Sequence, residues 1–110
     1  MDDQAIVIMV TVPTEEAGRQ IARALLDGRL AACVNILSPL ASHFFWEGKV
    51  NSEEEVLLLI KSRASLFQEK LLPAILALHP YQVPEIIALP VVMGYPAYLD
   101  WIMESTTPPG

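Results

Sequence analysis

The segment from His79 to Glu85, with the sequence HPYQVPE, brings together side chains that can do chemistry. It carries an imidazole at His79, a phenol at Tyr81 and a carboxylate at Glu85. Because Pro80 and Pro84 fix the backbone and favour extended conformations before them, the segment should form a stiff connector. Segments of this kind often hold functional groups in place. The alternative is that the two prolines only end one helix and introduce the next strand.

His79 has two interpretations. A histidine changes its charge near neutral pH, so it can bind a metal ion or shuttle protons. It can equally cap the C-terminal end of the preceding helix, where the helix dipole favours a donor or protonated imidazole. Cys33, the only thiol, is either a soft ligand that joins His79 at copper or zinc, or a small hydrophobe packed in a strand. His43 lies in an alternating segment, which indicates a surface or interface residue rather than a ligand.

Lys61 and Glu85 are predicted on different strands next to the sheet interior, where they could form an ion pair. Such a pair can tune pKa values for acid–base chemistry, with His79 as a third group, or it can hold the register between subunits. The structural interpretation is favoured because no nucleophile or set of oxyanion donors stands nearby in sequence. The chain also lacks a glycine-rich phosphate loop, a nucleophile elbow and a His–Glu zinc motif. The sequence therefore predicts a protein that is not an enzyme.

Four aromatic side chains are candidates to line a pocket for a small molecule: Trp46, Tyr81, Tyr98 and Trp101. Aromatic anchors at a subunit interface are the alternative. An RNA-binding module of this topology would display its aromatics within basic sheet motifs, which this chain lacks.

Composition limits the class of protein. A chain of 110 residues, 53% of them hydrophobic, can form one domain, predicted to be ordered over about residues 5–104 with a flexible tail over 105–110. No apolar run reaches the roughly 20 residues that span a bilayer, which argues against a membrane protein. Scattered basic residues and a net charge of −6 argue against nucleic acid as a partner. One cysteine and an acidic N-terminus without a signal sequence predict a cytoplasmic protein.

Hydrophobic periodicity and turn residues predict the order β-α-β-β-α-β followed by a short C-terminal helix. Strands are predicted over residues 5–12, 30–37 with a continuation over 41–46, 54–62 and 85–93. Helices are predicted between an N-cap at Thr14 and a C-cap at Gly28, from an N-cap at Ser65 to Leu78 with a kink at Pro73, and over residues 97–104. This order is typical of an α+β, ferredoxin-like (split βαβ) fold, in which both helices cover one face of a four-stranded antiparallel sheet.

The apolar pattern of the strands conflicts with a sheet that is open on one face. Such a sheet should alternate apolar and polar residues, whereas the first, third and fourth predicted strands are continuously apolar. Two helices can cover only one face, so another copy of the chain is the simplest cover for the other face. The sequence therefore predicts a homo-oligomer, in which the hairpin around Trp46, Glu47 and Gly48 reaches over a neighbouring subunit.

Five segments in this order resemble the CutA family of divalent-cation tolerance proteins. They are LAACVNI at residues 30–36, WEGK at 46–49, LIK at 59–61, HPYQVPE at 79–85 and YLDW at 98–101, and the match spans about residues 6–103. The resemblance implies a ferredoxin-like homotrimer built like the PII signalling proteins. It also implies a role in the tolerance of copper and other divalent cations, with no established reaction.

The resemblance places a ligand in clefts between subunits. Each cleft would bind a metal ion or a small ligand, and its candidate residues are Trp46, Glu47, Lys61, His79, Tyr81 and Glu85. The only cofactor implied is copper or another divalent cation, and the candidate metal ligands in this chain are His79 and Cys33. The alternative function is a trimeric scaffold or PII-like signalling protein that interacts with partner proteins.

Several positions depart from the family pattern. A first-strand cysteine connected with metal binding in some members is Val10 here, and a His-His pair is Leu78-His79. Phe44 and Phe45 stand where many members have tyrosine and arginine. Because these changes remove ligands and polar groups, the sequence predicts weak binding of copper or zinc.

Overall fold

A four-stranded antiparallel sheet organises the fold, in a computed structural model that describes residues 3–107. The strands are β1 (Ala5–Val12), β2 (Cys33–Trp46), β3 (Lys49–Arg63) and β4 (Ile86–Pro90). The helices are α1 (Glu15–Asp27), α2 (Leu72–Leu78) and α3 (Pro96–Ser105), with a 3₁₀ turn (Ala64–Leu66) and a π turn (Phe67–Leu71) before α2. The strand order is β2-β3-β1-β4. The α+β class, the antiparallel sheet and the order of elements are as predicted.

Local signals define α1 as predicted. The Thr14 Oγ1 accepts a hydrogen bond from the Ala17 N–H at 3.1 Å, which caps the first turn. Gly28 follows the last turn and donates its N–H to the Ala24 carbonyl at 3.1 Å. Within the helix, a Cβ at position 18 would lie 2.9 Å from Leu58 Cδ2, so Gly18 lets α1 pack close against β3.

Strand β3 is longer than the sequence indicates, β4 is shorter, and β2 begins at Cys33 rather than at residue 30. The two predicted segments of β2 form one strand, and the break or bulge that Ser38 and Pro39 indicate is a shift of register with β3 between Leu37 and Leu40. Strand β3 begins at Lys49 rather than at residue 54, because backbone hydrogen bonds to β2 continue through its polar residues. Glu47 (φ 51°) and Gly48 (φ 80°) form the tight turn that allows this pairing.

The predicted helix over residues 65–78 is divided, and Ser65 does not cap it. Instead, the Asp3 carboxylate accepts hydrogen bonds from the Ser65 N–H at 3.0 Å and from Ser65 Oγ at 2.5 Å. Pro73 is the second residue of α2, where the absence of its N–H is tolerated. In place of the predicted kink, the chain makes a π turn, which the Leu72 N–H closes by donating to the Phe67 carbonyl.

The C-terminal residues belong to the fold for longer than predicted. Ser105 is the last residue of α3, and Thr106 is buried. Thr106 Oγ1 donates to the Ile102 carbonyl at 3.0 Å and accepts from Arg63 Nε at 2.9 Å. Residues 105 and 106 thus belong to α3 and to its C-terminal contacts, and residues 108–110 of the predicted tail lie outside the described part of the chain.

The hydrophobic core lies between one face of the sheet and the helices. Its sheet residues alternate along β1 and β3, and they are Ile6, Ile8, Val10, Val12, Val56, Leu58 and Ile60. Ile21 and Leu25 of α1, Leu66 and Leu71 of the turns, and Ile75 of α2 complete it. Ala31, which follows α1, is buried in the same core.

The opposite face of the sheet, here called the open face, is apolar but only partly covered. Leu37, Ile87 and Leu89 are 45–47% exposed, and α3 packs at the end of the sheet near Arg63. The prediction that the helices leave one apolar face uncovered is therefore confirmed for the single subunit.

Candidate functional site

The hairpin of β2 and β3 extends beyond the rest of the sheet. Pairing between β1 and β3 ends at Val12 and Val56, so residues 40–55 form a two-stranded ribbon without a third strand, here called the arm. Phe45 is 72% exposed near the tip of the arm. The arm contributes to the 43 Å longest dimension of the subunit.

The arm, from its base at Ala41 and Glu55 as far as Trp46, and residues 79–85, here called the connector, line a groove of about 800 Å³. Its walls include three aromatic and three acidic side chains: Phe44, Trp46, Tyr81, Glu53, Glu55 and Glu85. No lysine or arginine of residues 3–107 lines this groove. The three predicted cleft residues that meet here are Trp46, Tyr81 and Glu85.

His79 anchors the connector. It is the C-cap of α2, and its N–H donates to the Ile75 carbonyl at 2.9 Å. The Tyr81 N–H donates to His79 Nδ1 at 3.2 Å, which assigns the ring proton to Nε2, and Nε2 lies 2.8 Å from the Thr11 carbonyl. His79 occupies the C-cap position of α2, but its imidazole bonds to Thr11 and Tyr81 and not to the carbonyls of the helix. With both ring nitrogens bonded and only 9% of the residue exposed, His79 offers no free nitrogen to a metal in this subunit.

Tyr81 and Glu55 link the two walls of the groove. Tyr81 Oη donates to Glu55 Oε2 at 2.7 Å, and Glu55 is only 7% exposed. Burial raises the pKa of Tyr81, and the hydrogen bond to Glu55 and the charges of Glu55 and Glu53 raise it further. Tyr81 therefore remains a neutral donor, which satisfies one oxygen of Glu55 without compensating its charge.

Sequence reasoning missed Glu55. The run from Glu53 to Glu55 marks the expected start of a strand, and the period of two places Glu53 and Glu55 on one side with Glu54 on the other. That alternation is the available signal, because it continues into the half-buried Leu57 and Leu59. The burial of Glu55 also depends on Tyr81, which is 26 residues away in sequence.

Lys61 lies far from the groove within one subunit. It pairs in register with Val7 of β1, whereas the groove and the His79 contact lie at Thr11, about 13 Å further along the strand. Its Nζ donates to Asn35 Oδ1. Within residues 3–107 the ion pair found joins Arg63 and Asp3, so the subunit does not form the predicted pair of Lys61 with Glu85. A pair between subunits stays a prediction.

The acid–base group of His79, Glu85 and Lys61 is likewise not assembled in one subunit. His79 is bonded to the main chain at both nitrogens, and Lys61 lies at the other end of β1. Glu47 sits in the turn at the arm tip, fully outside the groove lining.

Cys33 and His79 do not form a metal site in the subunit. Cys33 pairs in register with Lys61, at the far end of the sheet from His79, and its Sγ lies 3.9 Å from Asn35 Oδ1. Across residues 3–107, no group of three or more histidine, cysteine, aspartate or glutamate side chains is placed to hold a metal ion.

Burial and the neighbouring Cys33 raise the pKa of Tyr98, whose ring packs 5.5 Å from that of Trp101 on α3. The predicted four-aromatic pocket is therefore split between the groove and α3.

Known proteins match this chain over nearly its whole length. Residues 6–105 match the family model described as "CutA1 divalent ion tolerance protein". The chain belongs to this CutA family.

Individual CutA proteins show the extent of the similarity. The divalent-cation tolerance protein CutA of Thermus thermophilus is 51% identical over 91% of this chain and 96% of its own length. A solved structure from the same organism superimposes with a TM-score of 0.90 over 94% of this chain and 99% of that one, at 48% identity. The chloroplastic CutA of Arabidopsis thaliana is 49% identical over 93% of this chain but only 56% of its own length. The chain therefore spans about half of that longer relative.

The predicted cytoplasmic location is wrong. The Arabidopsis relative is named chloroplastic, and a CutA structure from Archaeoglobus fulgidus, 40% identical with a TM-score of 0.87 over 92% of this chain and 97% of that one, is named periplasmic. A single cysteine and an acidic first segment therefore do not identify a compartment in this family. None of the helices in residues 3–107 is both long enough and apolar enough to cross a membrane.

Proposed function

We propose that this protein is a homotrimeric divalent-cation tolerance protein that binds a small cationic ligand in the groove and catalyses no reaction. The observation that carries the proposal is the Glu55 carboxylate, which is 7% exposed and bonded only to the neutral Tyr81 among the described residues. The second oxygen of Glu55 has no hydrogen-bond partner among the described residues and is reached by solvent, so a cation in the groove can bind it directly. Glu53 and Glu85 add to the negative charge of the same groove.

The open face supports the proposed assembly. Leu37, Ile87 and Leu89 on this face remain about half exposed in one subunit, and the strands β2 and β4 that carry them are the edges of the sheet. Exposed apolar faces and unpaired edges favour association with other chains. We infer that neighbouring subunits cover this face, with each arm reaching over a neighbour, so that the grooves lie at clefts between subunits.

Copper and zinc would then bind weakly in the isolated protein. His79 offers no free nitrogen and Cys33 lies elsewhere, so soft and borderline metals would have only carboxylate oxygens in the groove. Oxygen ligands suit harder cations better.

Two measurements test the proposal. Sedimentation velocity at micromolar concentration should show a species of about three times the 12.1 kDa chain mass, and a folded monomer would contradict the assembly. Calorimetric titration with Mg(II), Ca(II), Zn(II) and Cu(II), and with a panel of small cations, should show binding that Glu55→Gln weakens. Binding that Glu55→Gln leaves unchanged would contradict the groove as the site.

A further inference from the structure

We infer that the groove fits best an extended organic dication of the alkyl diamine type. This inference rests on the proposed function, in which the groove is a cation site. The groove presents separated carboxylates and apolar walls, and these two features together favour a molecule with two ammonium ends and a methylene chain. The ligand class is deduced from the placement of carboxylates on both walls of the groove and from the chemistry of those walls.

The carboxylates are spread rather than convergent. Glu53 and Glu55 project from the same side of β3, and residues two apart in a strand lie about 7 Å from one another. Glu85 lies on the opposite wall, immediately after Pro84 of the connector. Calcium and magnesium need several oxygens converging on one point at about 2.0–2.6 Å. Over residues 3–107 no three metal-ligating side chains are placed in that way.

A dication can use the spread arrangement. Each ammonium group forms its own charge-assisted hydrogen bonds, so one end can contact Glu55 while the other contacts Glu85. Neither carboxylate takes part in an ion pair within the described residues, where the pair found is that of Arg63 with Asp3. Within one subunit, binding therefore does not require a cation of the protein to be displaced.

The walls between the carboxylates suit a methylene chain. Phe44, Trp46 and Tyr81 line the groove together with Ala41 and Val83. Aromatic faces attract ammonium groups and pack against methylene groups, because the ring faces are both apolar and electron-rich. A hydrated metal ion would gain little from these apolar and aromatic walls.

The groove is also held in place before a ligand arrives. The Tyr81 hydroxyl holds Glu55, and the Tyr81 backbone N–H is bonded to His79, which in turn contacts the Thr11 carbonyl. This chain of contacts fixes the connector against β1 and against the base of the arm. Preorganisation reduces the loss of conformational freedom on binding.

Calorimetry with simple probes tests this inference on the assembled protein. The probes are 1,4-diaminobutane, 1,6-diaminohexane, butylamine and Mg(II), all at one ionic strength. A diamine should bind about tenfold more tightly than butylamine, since it makes a second charge-assisted contact. Fluorescence of Trp46, read in a Trp101→Phe background, should change on binding, because Trp46 lines the groove.

Variants within one acidic run provide the matched control. Glu55→Gln, which keeps an acceptor for Tyr81, and Glu85→Gln should each weaken diamine binding about tenfold. Glu54→Gln removes the same charge from the same strand, but Glu54 does not line the groove, so this variant should change binding less than about twofold. Sedimentation of each variant checks that the assembly is intact.

The outcomes separate the inference from the proposed function. Equal binding of diamine and butylamine, or equal effects of Glu54→Gln and Glu55→Gln, would overturn the diamine inference. If Mg(II) binds in a manner that depends on Glu55 while diamines do not bind, the inference fails and the cation site of the proposed function stands. If no cation binds through Glu55, both fail.

Discussion

Acidic side chains at the two ends of the sheet, the partly buried Asp3 and the buried Glu55, differ in how their charge is compensated. At the end near α3, Asp3 is bonded to Ser65 and forms an ion pair with Arg63 at 3.1 Å. At the arm end, Glu55 is bonded only to the neutral Tyr81 among the described residues. The first carboxylate has its cation built into the fold, and the second does not. The first end therefore contains its own compensating cation, and the second end is the one at which we propose that a cation binds.

The Asp3 end connects three distant parts of the chain. Arg63 donates to Asp3, to Thr106 Oγ1 and to the Met103 carbonyl, and thus links the start of the chain, the end of β3 and the end of α3. Thr107 adds a bond from its N–H to the Arg29 carbonyl at 2.9 Å. The groove end has no comparable set of cross-links to a cation, so substitutions at the two ends should have different effects on stability.

The largest expected effect is that of Arg63→Ala. This variant leaves the Asp3 carboxylate without its cation and removes the donors to Thr106 and Met103, so it should lower the free energy of unfolding by about 3 kcal/mol. Urea unfolding followed by circular dichroism measures the loss. Arg19→Ala on the exposed side of α1 is the control, with an expected change under about 0.5 kcal/mol. Equal losses in the two variants would contradict the structural role of the cluster.

Asp3→Asn should have the next largest effect, and that effect should depend on pH. Burial alone would raise the pKa of Asp3, but hydrogen bonds from Ser65 and Arg63 and the Arg63 charge outweigh it and lower the pKa below its ordinary value of 3.8. The charged form is therefore favoured in the folded state. The stabilisation that charged Asp3 gives to the folded state is fully present above about pH 3.8, its ordinary pKa. It is lost as the pH falls through the lower pKa that Asp3 has in the folded state.

Thermal melts between pH 7 and pH 2 measure this dependence. At pH 7 the variant should be less stable than the parent by about 2 kcal/mol, and the difference should shrink below pH 3.8. A difference that grows on acidification would show that the sign of the pKa shift is wrong.

Glu85→Ala should have a smaller effect, because Glu85 is exposed and has no ion-pair partner within the described subunit. The expected loss is under about 1 kcal/mol, as for exposed charges in general. Lys61→Ala and the double variant complete a cycle, in which the two effects should add. If the effects are strongly non-additive, and Glu85→Ala loses nearly as much unfolding free energy as Arg63→Ala, Glu85 and Lys61 form a buried pair between subunits.

The smallest expected effect is that of His79→Gln on copper binding. Both ring nitrogens of His79 are bonded to the main chain, so Cu(II) affinity should be weak in the parent and nearly unchanged in the variant. Calorimetric titration of both proteins measures it, and Cys33→Ser serves as a second comparison. A submicromolar isotherm with one copper per subunit that disappears in His79→Gln would show that the groove end does hold a metal through this residue.

Sequence predicts those parts of the fold that depend on neighbouring residues. Thr14 and Gly28 define α1 through contacts three or four residues away, and β1 has the predicted bounds of residues 5–12. Strand β3 begins earlier than predicted because its polar start is stabilised by pairing with β2, which no property of Asn51 or Ser52 indicates. Asp3 caps the turn at Ser65 from 62 residues away. Because the capping residue is so distant, the local sequence indicates only Ser65 as a cap.

In the candidate site, too, features set by neighbouring residues are predictable from sequence and long-range contacts are not. The position of the connector depends on local prolines and on the end of a helix, and His79 is the C-cap residue of α2 as expected. The bond of its imidazole to Thr11 of β1 is a long-range contact that the local sequence does not indicate. The pairing of Lys61 with Glu85 depends on the register of β1 against two strands, which places them far apart in one subunit. The contact of Tyr81 with Glu55 depends on the length of the arm, which the sequence underestimates.

The arm has a consequence for the order of events in assembly. A two-stranded ribbon without a third strand is marginally stable in water, so backbone amides of residues 41–54 should exchange hydrogen with solvent sooner than those of residues 57–61, which lie between two strands. When a neighbouring subunit covers the arm, this difference should decrease. Because one wall of the groove is the base of the arm, the cation site would become fully ordered only after subunits have met, and ligand affinity would then rise with protein concentration.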